Sequence, residues 1–116
     1  MGRETQAWQS PAMFEILLSL AGGELHGYAI MKEIRDRTRG DVILGPTSLY
    51  RSLKKLLNLG YIEEVEQDAD AGDPDRRRVY RLLPAGRDAV ARRADSLSRS
   101  IAVARQQGLL SEEAAS

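Results

Sequence analysis

The segment GPTSLYRSLKKLLNLGYIEE, residues 45–64, constrains the fold of this 116-residue chain more than any other. Its leucines recur at helical spacing and share one face, namely Leu49, Leu53, Leu56 and Leu57. At about 100° per residue, polar side chains fall on the opposite face, which holds no carboxylate. Gly60 fits the left-handed position that often follows a helix. A helix that is apolar on one side and cationic on the other is shaped to enter a DNA groove.

The charges of the chain are segregated, although 17 basic and 17 acidic residues leave no formal net charge. Residues 46–59 hold three cations and no acid, and residues 76–87 hold five arginines and no acid. Between them, residues 63–75 hold seven carboxylates and no base. Segregated charge can give a neutral protein a basic surface, so a nucleic-acid partner stays compatible with zero net charge.

Composition excludes several classes of protein. A chain that is 42% hydrophobic and 29% charged is ordinary for one soluble domain with a modest core. No apolar run approaches the ~20 residues of a membrane span, and no secretory signal is evident. Cysteine is absent and His26 is the one histidine, so we expect no disulfide, no metal ion and no cofactor. We expect a cytoplasmic protein without membrane contact.

The pattern predicts three helices before the first strand. Ser10 and Pro11 supply an N-cap and a first helical residue for the first helix. A second helix is expected from Gly27 to Arg37, and the segment described above forms the third.

Three side chains receive structural roles in this scheme. Thr47 is interpreted as the N-cap of the third helix, because its hydroxyl can accept an orphan backbone N–H. Tyr28 is interpreted as a core contact that locks the second helix against the third. His26 lies near the start of the second helix and is expected to be structural.

Two strands are predicted after the third helix, from Tyr61 to Gln67 and from Arg78 to Leu83. The connection between them contains Gly72, Asp73 and Pro74 and is longer than a tight hairpin needs. Three helices followed by a long-looped hairpin describe a winged helix-turn-helix. The expected fold class is therefore α+β, mainly α with a small β-hairpin.

A long final helix is predicted over residues 84–107. Its apolar residues follow a heptad-like seam formed by Val90, Ala94, Leu97, Ile101 and Ala104. A second copy of the helix is the simplest cover for this seam, which predicts a two-fold homodimer. The alternative is a seam folded back on its own domain. The expected organisation is a flexible arm at 1–9, a DNA-binding domain at 10–83, this dimerisation helix at 84–107 and a flexible tail at 108–116.

The chain resembles the PadR family of bacterial transcriptional regulators. The resemblance rests on four pieces in order, MFEILLSL, ELHGYAIMKEI, GPTSLYRSLKKLLNLGYI and RRRVYRL…GR, and favours the short subgroup with a single C-terminal helix. It implies a dimeric winged helix-turn-helix repressor with its third helix in the major groove. Three features depart from the family pattern: Leu83 stands where Thr or Ser is usual, Val79 stands where an aromatic residue is common, and the tip DADAGDPD is unusually acidic.

The predicted DNA contacts come from the third helix and from the base of the wing. They are Thr47, Ser48, Tyr50, Arg51, Ser52, Lys54, Lys55, Arg76, Arg77 and Arg78. Arg51 is expected to pair with guanine, whereas Lys54 and Lys55 hold phosphates. The alternative role for the three wing arginines is to pair with the acids of residues 63–75.

These observations predict a sequence-specific repressor that binds double-stranded DNA as a dimer on a near-palindromic operator. An enzyme is not expected, because no set of nucleophile, base and orienting residue is visible. The alternative is a winged-helix protein-interaction module without specific DNA binding. A further hypothesis is a pocket for a hydrophobic or planar small-molecule effector, lined by Trp8, Phe14 and the final helix.

Overall fold

Four helices and three short strands make up the part of the chain that the computed structural model describes, residues 10–66 and 78–111. The helices are α1 (Pro11–Ala21), α2 (Gly27–Arg37), α3 (Pro46–Asn58) and α4 (Pro84–Gln106). The strands are β1 (Leu25–His26), β2 (Ile62–Glu66) and β3 (Arg78–Leu82). The predicted winged helix-turn-helix of class α+β is confirmed.

Side chains just before α1 and α2 determine where these helices begin. The Ser10 hydroxyl accepts a hydrogen bond from the Met13 backbone N–H at 3.2 Å, and Pro11 takes the first helical position. The His26 ring does the same for α2, because its Nδ1 accepts the Ala29 backbone N–H at 3.3 Å. The structural role predicted for His26 is confirmed.

The start of α3 differs from the prediction. Thr47 is not the N-cap: Gly45 occupies that position without a side-chain hydrogen bond, and Pro46 is the first helical residue. Proline suits the first helical position because its φ is already helical, so the helix begins before Thr47 is reached. Thr47 therefore lies in the first turn with an exposed side chain. At the other end, Gly60 adopts the expected left-handed conformation with φ of 76°.

The sheet holds one strand more than the predicted hairpin. Its order is β1-β3-β2, with both pairs antiparallel, so that Leu25 lies opposite Tyr80 and Ile62 lies opposite Leu82. β1 has only two residues, and a strand of that length is too short to be predicted from an alternating pattern of apolar and polar residues. β2 and β3 confirm the two predicted strands within a residue at each described end.

One apolar core joins all four helices to the sheet. Its buried members are Met13, Ile16, Leu17, Leu20, Ile30, Ile34, Leu49, Leu53, Leu56, Ile62, Tyr80, Ala89 and Val90. The leucine face of α3 is thereby confirmed, with Leu57 partly buried at its edge. Each fully buried leucine contributes about 1.5–3 kcal/mol relative to an exposed one, so this face holds α3 in place.

Tyr28 is the clearest failure of the sequence prediction, because its side chain is 66% exposed. The residue that meets α3 is its neighbour Gly27, where a Cβ would lie only 2.8 Å from the Tyr50 hydroxyl oxygen. Successive side chains on a helix point about 100° apart, so close packing through Gly27 turns Tyr28 outward.

Arg37 ties the end of α2 to α1. Its guanidinium donates to the Glu15 carboxylate at 2.8 Å, to the Glu15 backbone carbonyl at 3.1 Å and to the Ser19 hydroxyl at 3.0 Å. The Glu15 side chain is only 18% exposed and Ser19 is buried, whereas the Arg37 side chain that joins them is 35% exposed. The forked geometry of arginine suits such a set of acceptors better than an ammonium does.

Arg37→Lys should therefore lower the free energy of unfolding by about 1 kcal/mol. Lysine keeps the positive charge but lacks the planar guanidinium that donates to several acceptors at once. Chemical denaturation measures this change. Arg35→Lys is the matched control, since the one ion pair of Arg35 among the described residues is exposed and joins it to Asp36 at 3.7 Å. Equal stability of the two variants would contradict a special role for Arg37.

The corner between α3 and β2 is joined directly to α4. The Tyr61 carbonyl accepts the Leu83 backbone N–H at 2.9 Å, and Gly86 packs against the same carbonyl. A Cβ on Gly86 would overlap the Tyr61 oxygen and would lie 2.9 Å from the Leu82 side chain. The first turn of α4 is therefore in direct backbone contact with the corner that follows α3. None of the helices in the described ranges is long and apolar enough to cross a membrane.

Candidate nucleic-acid interface

The outward face of α3 carries most of the predicted DNA contacts. The exposed side chains on it are Thr47, Ser48, Arg51, Lys54, Lys55 and Asn58. At about 100° per residue they cover an arc of about 120°, with Arg51 near its centre. The arc contains hydroxyls, an amide and cations but no carboxylate, which is the donor-rich surface that base edges and phosphates require.

Two predicted contacts lie at the border of this face. Tyr50 and Ser52 are half-buried, and the Tyr50 ring packs against the core with its hydroxyl over Gly27. The packing holds the Tyr50 ring beside the N-terminus of α2. These two side chains therefore flank the exposed arc and do not form its centre.

The cations of α3 are available to a ligand. Within residues 10–66 and 78–111, no carboxylate forms an ion pair with Arg51, Lys54 or Lys55. A cation without an internal partner keeps its full charge for a phosphate or a base.

The base of the wing is different, because its described arginines are paired with acids. Arg78 lies 3.6 Å from the Glu64 carboxylate, which is the alternative role considered for the wing arginines. Arg76 and Arg77 lie outside the described residues. The basic surface of the described wing is therefore smaller than the arginine count of the segment suggests.

Arg81 joins all three strands of the sheet, which the sequence reasoning missed. Its side chain is hydrogen-bonded to Glu63 directly opposite on β2, and it lies 3.3 Å from the carboxylate of Glu24, just before β1. The hydrogen bond and charge of Glu63, with a smaller effect of Glu24, raise the pKa of Arg81 above its ordinary value. The sequence contains the acid that faces Arg81, namely Glu63, but the pairing can be recognised only once the register of the two strands is known.

The predicted dimer seam is buried at its first residue and is half-buried or exposed at the later ones, towards the C-terminal end of α4. Val90 is buried in the core of its own subunit, whereas Ala94 is exposed and Leu97 is half-buried. Ile101 is 43% exposed and Ala104 is half-buried. α4 has 23 residues, about 35 Å at 1.5 Å per residue, and its buried residues all lie in the first two turns. The remaining turns carry an apolar stripe that is only partly covered.

The hypothetical effector residues are only partly described. Phe14 is half-buried against the core, and Trp8 lies outside the described residues. Among the described side chains, no group of three or more His, Asp or Glu is placed to hold a metal ion.

Comparison with known proteins places this arrangement in a family. The sequence model of the transcriptional regulator PadR-like family matches residues 16–92. An uncharacterized 37.1 kDa protein in transposon Tn4556 of Streptomyces fradiae is 38% identical over 88 residues, covering 76% of this chain. This chain spans only 23% of that protein.

Solved structures share the fold. A transcriptional regulator from Clostridium thermocellum superposes with a TM-score of 0.68 at 24% identity, covering 90% of this chain and 97% of its own. The complex of Bacillus subtilis PadR with operator DNA superposes with a TM-score of 0.59 at 24% identity, covering 67% and 43%. The family match extends from α1 into α4 and so includes α3 and the described wing. The chain belongs to the transcriptional regulator PadR-like family and has its winged helix-turn-helix fold.

Proposed function

We propose that this chain regulates transcription in the cytoplasm as a homodimeric repressor that reads a near-palindromic operator with α3. The observation that carries the proposal is the exposed, acid-free arc of α3, whose cations are free of described ion pairs. Arg51 is placed to read a guanine at the centre of this arc, while Lys54 and Lys55 hold the flanking phosphates. The Bacillus subtilis relative in complex with operator DNA supports DNA as the partner.

The partly exposed apolar stripe of α4 supports the dimer. Ala94, Leu97, Ile101 and Ala104 lie within about 80° of one another on a helix, which is the width of a coiled-coil seam. Pairing of two such helices places two α3 helices on one DNA duplex. We expect them in successive major grooves, with half-sites about 34–36 Å apart. Repression then follows from blocking transcription initiation at the occupied operator.

The wing makes a smaller contribution in this proposal. Arg78 pairs with Glu64 in the free protein, so contact with DNA requires it to exchange one anion for another. We further propose that a hydrophobic or planar small molecule relieves repression by binding near Phe14 and Trp8. Titration of planar compounds against Trp8 fluorescence tests this, and an unchanged signal would count against it.

Arg51→Lys tests the reading role of α3. The variant keeps the positive charge but loses the fork that pairs with guanine O6 and N7. We expect specific binding to the DNA upstream of the gene to weaken by about 1–3 kcal/mol, while binding to random DNA of equal length stays the same. A gel-shift titration over several salt concentrations measures both.

Lys55→Gln serves as the contrasting variant. Loss of a phosphate contact should weaken binding to both DNAs alike and lower the slope of log K against log salt by about 0.9. If Arg51→Lys instead weakened binding to both DNAs equally, Arg51 would not be a base reader. If the unaltered chain gave no specific, salt-dependent shift, the proposed function would be wrong.

A further inference from the structure

The outward face of α2 exposes an aromatic side chain, that of Tyr28. Tyr28 is 66% exposed and Ile43 is 70% exposed, and both line one surface cleft of about 140 Å³. The other residues of the cleft are Met31, Lys32, Arg35 and Leu44. Pockets for drug-sized small molecules are typically about 300–1,000 Å³, so a small-molecule effector does not fit this space.

The two charged side chains that line the cleft, Lys32 and Arg35, are both cations. Tyr28, Lys32 and Arg35 follow the helical spacing of four and three and lie within about 60° on α2. The acids of this helix fall on the neighbouring stripe, where Glu33 pairs with Arg37 at 3.6 Å. The pair of Arg35 with Asp36 is long and exposed at both ends, and exposed pairs contribute little. An anion is therefore the ligand that the cleft favours.

The cleft lies beside the N-terminus of α3. Gly27, next to Tyr28, packs against Leu49 and Tyr50 in the first turns of α3. On its other side, Ile43 and Leu44 lead through Gly45 directly into α3. The surface is thus continuous with the exposed arc of α3 that carries Thr47 and Ser48. In helix-turn-helix proteins the recognition helix enters the groove while the preceding helix crosses the DNA backbone.

We propose that Tyr28, Lys32 and Arg35 form a phosphate clamp on the DNA strand that borders the groove read by α3. The Tyr28 hydroxyl donates to one phosphate, and the two cations neutralise it and its neighbour. Tyrosine, lysine and arginine are among the side chains that supply such backbone contacts. Ile43 and Met31 pack against the intervening sugars. This inference rests on the proposed DNA-binding function and adds the element that sets how α3 is oriented in the groove.

Salt dependence of binding tests the clamp. The double variant Lys32→Gln, Arg35→Gln should weaken binding to the upstream DNA and to random DNA by the same factor. It should lower the slope of log K against log salt by about 1.8, or 0.9 for each lost phosphate contact. Tyr28→Phe should weaken both by about 10-fold, because one hydrogen bond to a charged group is lost.

The matched control removes the same charge elsewhere. Arg92→Gln, Arg99→Gln alters two exposed arginines on the side of α4 opposite the apolar seam, and its slope should equal that of the unaltered chain. A slope lowered equally by both double variants would reduce the effect to net charge and overturn the clamp. An unchanged slope in the Lys32, Arg35 variant would overturn it as well.

Directed cleavage supplies a second, positional readout. The chain contains no cysteine, so Tyr28→Cys gives a single site for attaching an iron chelate. We expect the chelate to cut the DNA backbone at the flank of each half-site, and the same chelate on Ala102→Cys in α4 to cut nowhere. Cuts absent from position 28, with specific binding intact, would overturn the clamp alone. Failure of the unaltered chain to bind specifically would overturn the proposed function and the clamp together.

Discussion

Ile101→Glu should separate the two subunits and lower affinity for the operator by about 10²- to 10⁴-fold, the gain that two linked reading heads have over one. Ile101 is 43% exposed in the single chain, so a carboxylate there is tolerated by the monomer. In a two-fold seam, however, each glutamate would face apolar residues and the partner's like charge. The buried, unpaired charge opposes association.

Sedimentation shows the mass of the variant, circular dichroism checks its folding and gel-shift titration gives its affinity. Ala102→Glu is the control, because this substitution adds the same charge at another exposed position of α4. The Ala102 side chain points about 100° away from that of Ile101. This control should remain dimeric and bind as before. A folded Ile101→Glu variant that stayed dimeric would show that the stripe of α4 is covered by something other than its copy.

Gly86→Ala should lower the free energy of unfolding by about 1–3 kcal/mol, in the range that overpacking costs. Helix propensity alone predicts the reverse, since alanine stabilises a helix interior by about 1 kcal/mol relative to glycine. The contact with Tyr61 decides the sign. A methyl group at Gly86 would overlap the Tyr61 carbonyl oxygen. The backbone sets the position of the methyl carbon, and the oxygen is itself a backbone atom, so neither can rotate away.

Thermal unfolding measures this effect, because about 1 kcal/mol shifts the Tm of a domain of 60–100 residues by about 4–8 °C. Gly22→Ala is the control: Gly22 has φ of −85° and its nearest neighbour is 3.7 Å from the Cβ position. That variant should be neutral or slightly more stable. If Gly86→Ala were as stable as the control, the tight joint between α4 and the α3 corner would not exist.

The sequence predicted α3 well because local rules set its main features. Spacings of four and three residues place Leu49, Leu53 and Leu56 on one face of the helix, and all three side chains are buried in the structure. The exposed arc follows from the same periodicity. The end of α3 was also predictable, since Gly60 is the residue type that tolerates a positive φ.

Local rules failed where a contact between distant residues decided the outcome. The sequence predicts Tyr28 to be a core contact. In the structure, Gly27 packs against α3 instead, and the Tyr28 side chain points to solvent. The spacing of Tyr28, Lys32 and Arg35 was readable in the sequence. Its place beside α3 was not, because that depends on the packing of α2 against α3.

The charge of the wing shows the same limit. The number of arginines from 76 to 87 predicts a basic surface. In the folded sheet, however, Arg81 pairs with Glu63 and Glu24, and Arg78 pairs with Glu64. Register is set by side chains that are far apart along the chain and adjacent across the sheet, so composition cannot reveal it.

By itself, the sequence determined the order of the four helices and the two longer strands, the apolar face of α3 and the segregation of acids from bases. These follow from helical periodicity and residue type, which act over a few residues. Only the tertiary structure decided that Val90 ends the core and that Ala94 and Ile101 beyond it are exposed. It also decided that α3 keeps its cations unpaired among the described residues while the wing does not. Burial and ion pairing are properties of neighbours in space, and for this chain those neighbours are brought together only by the fold.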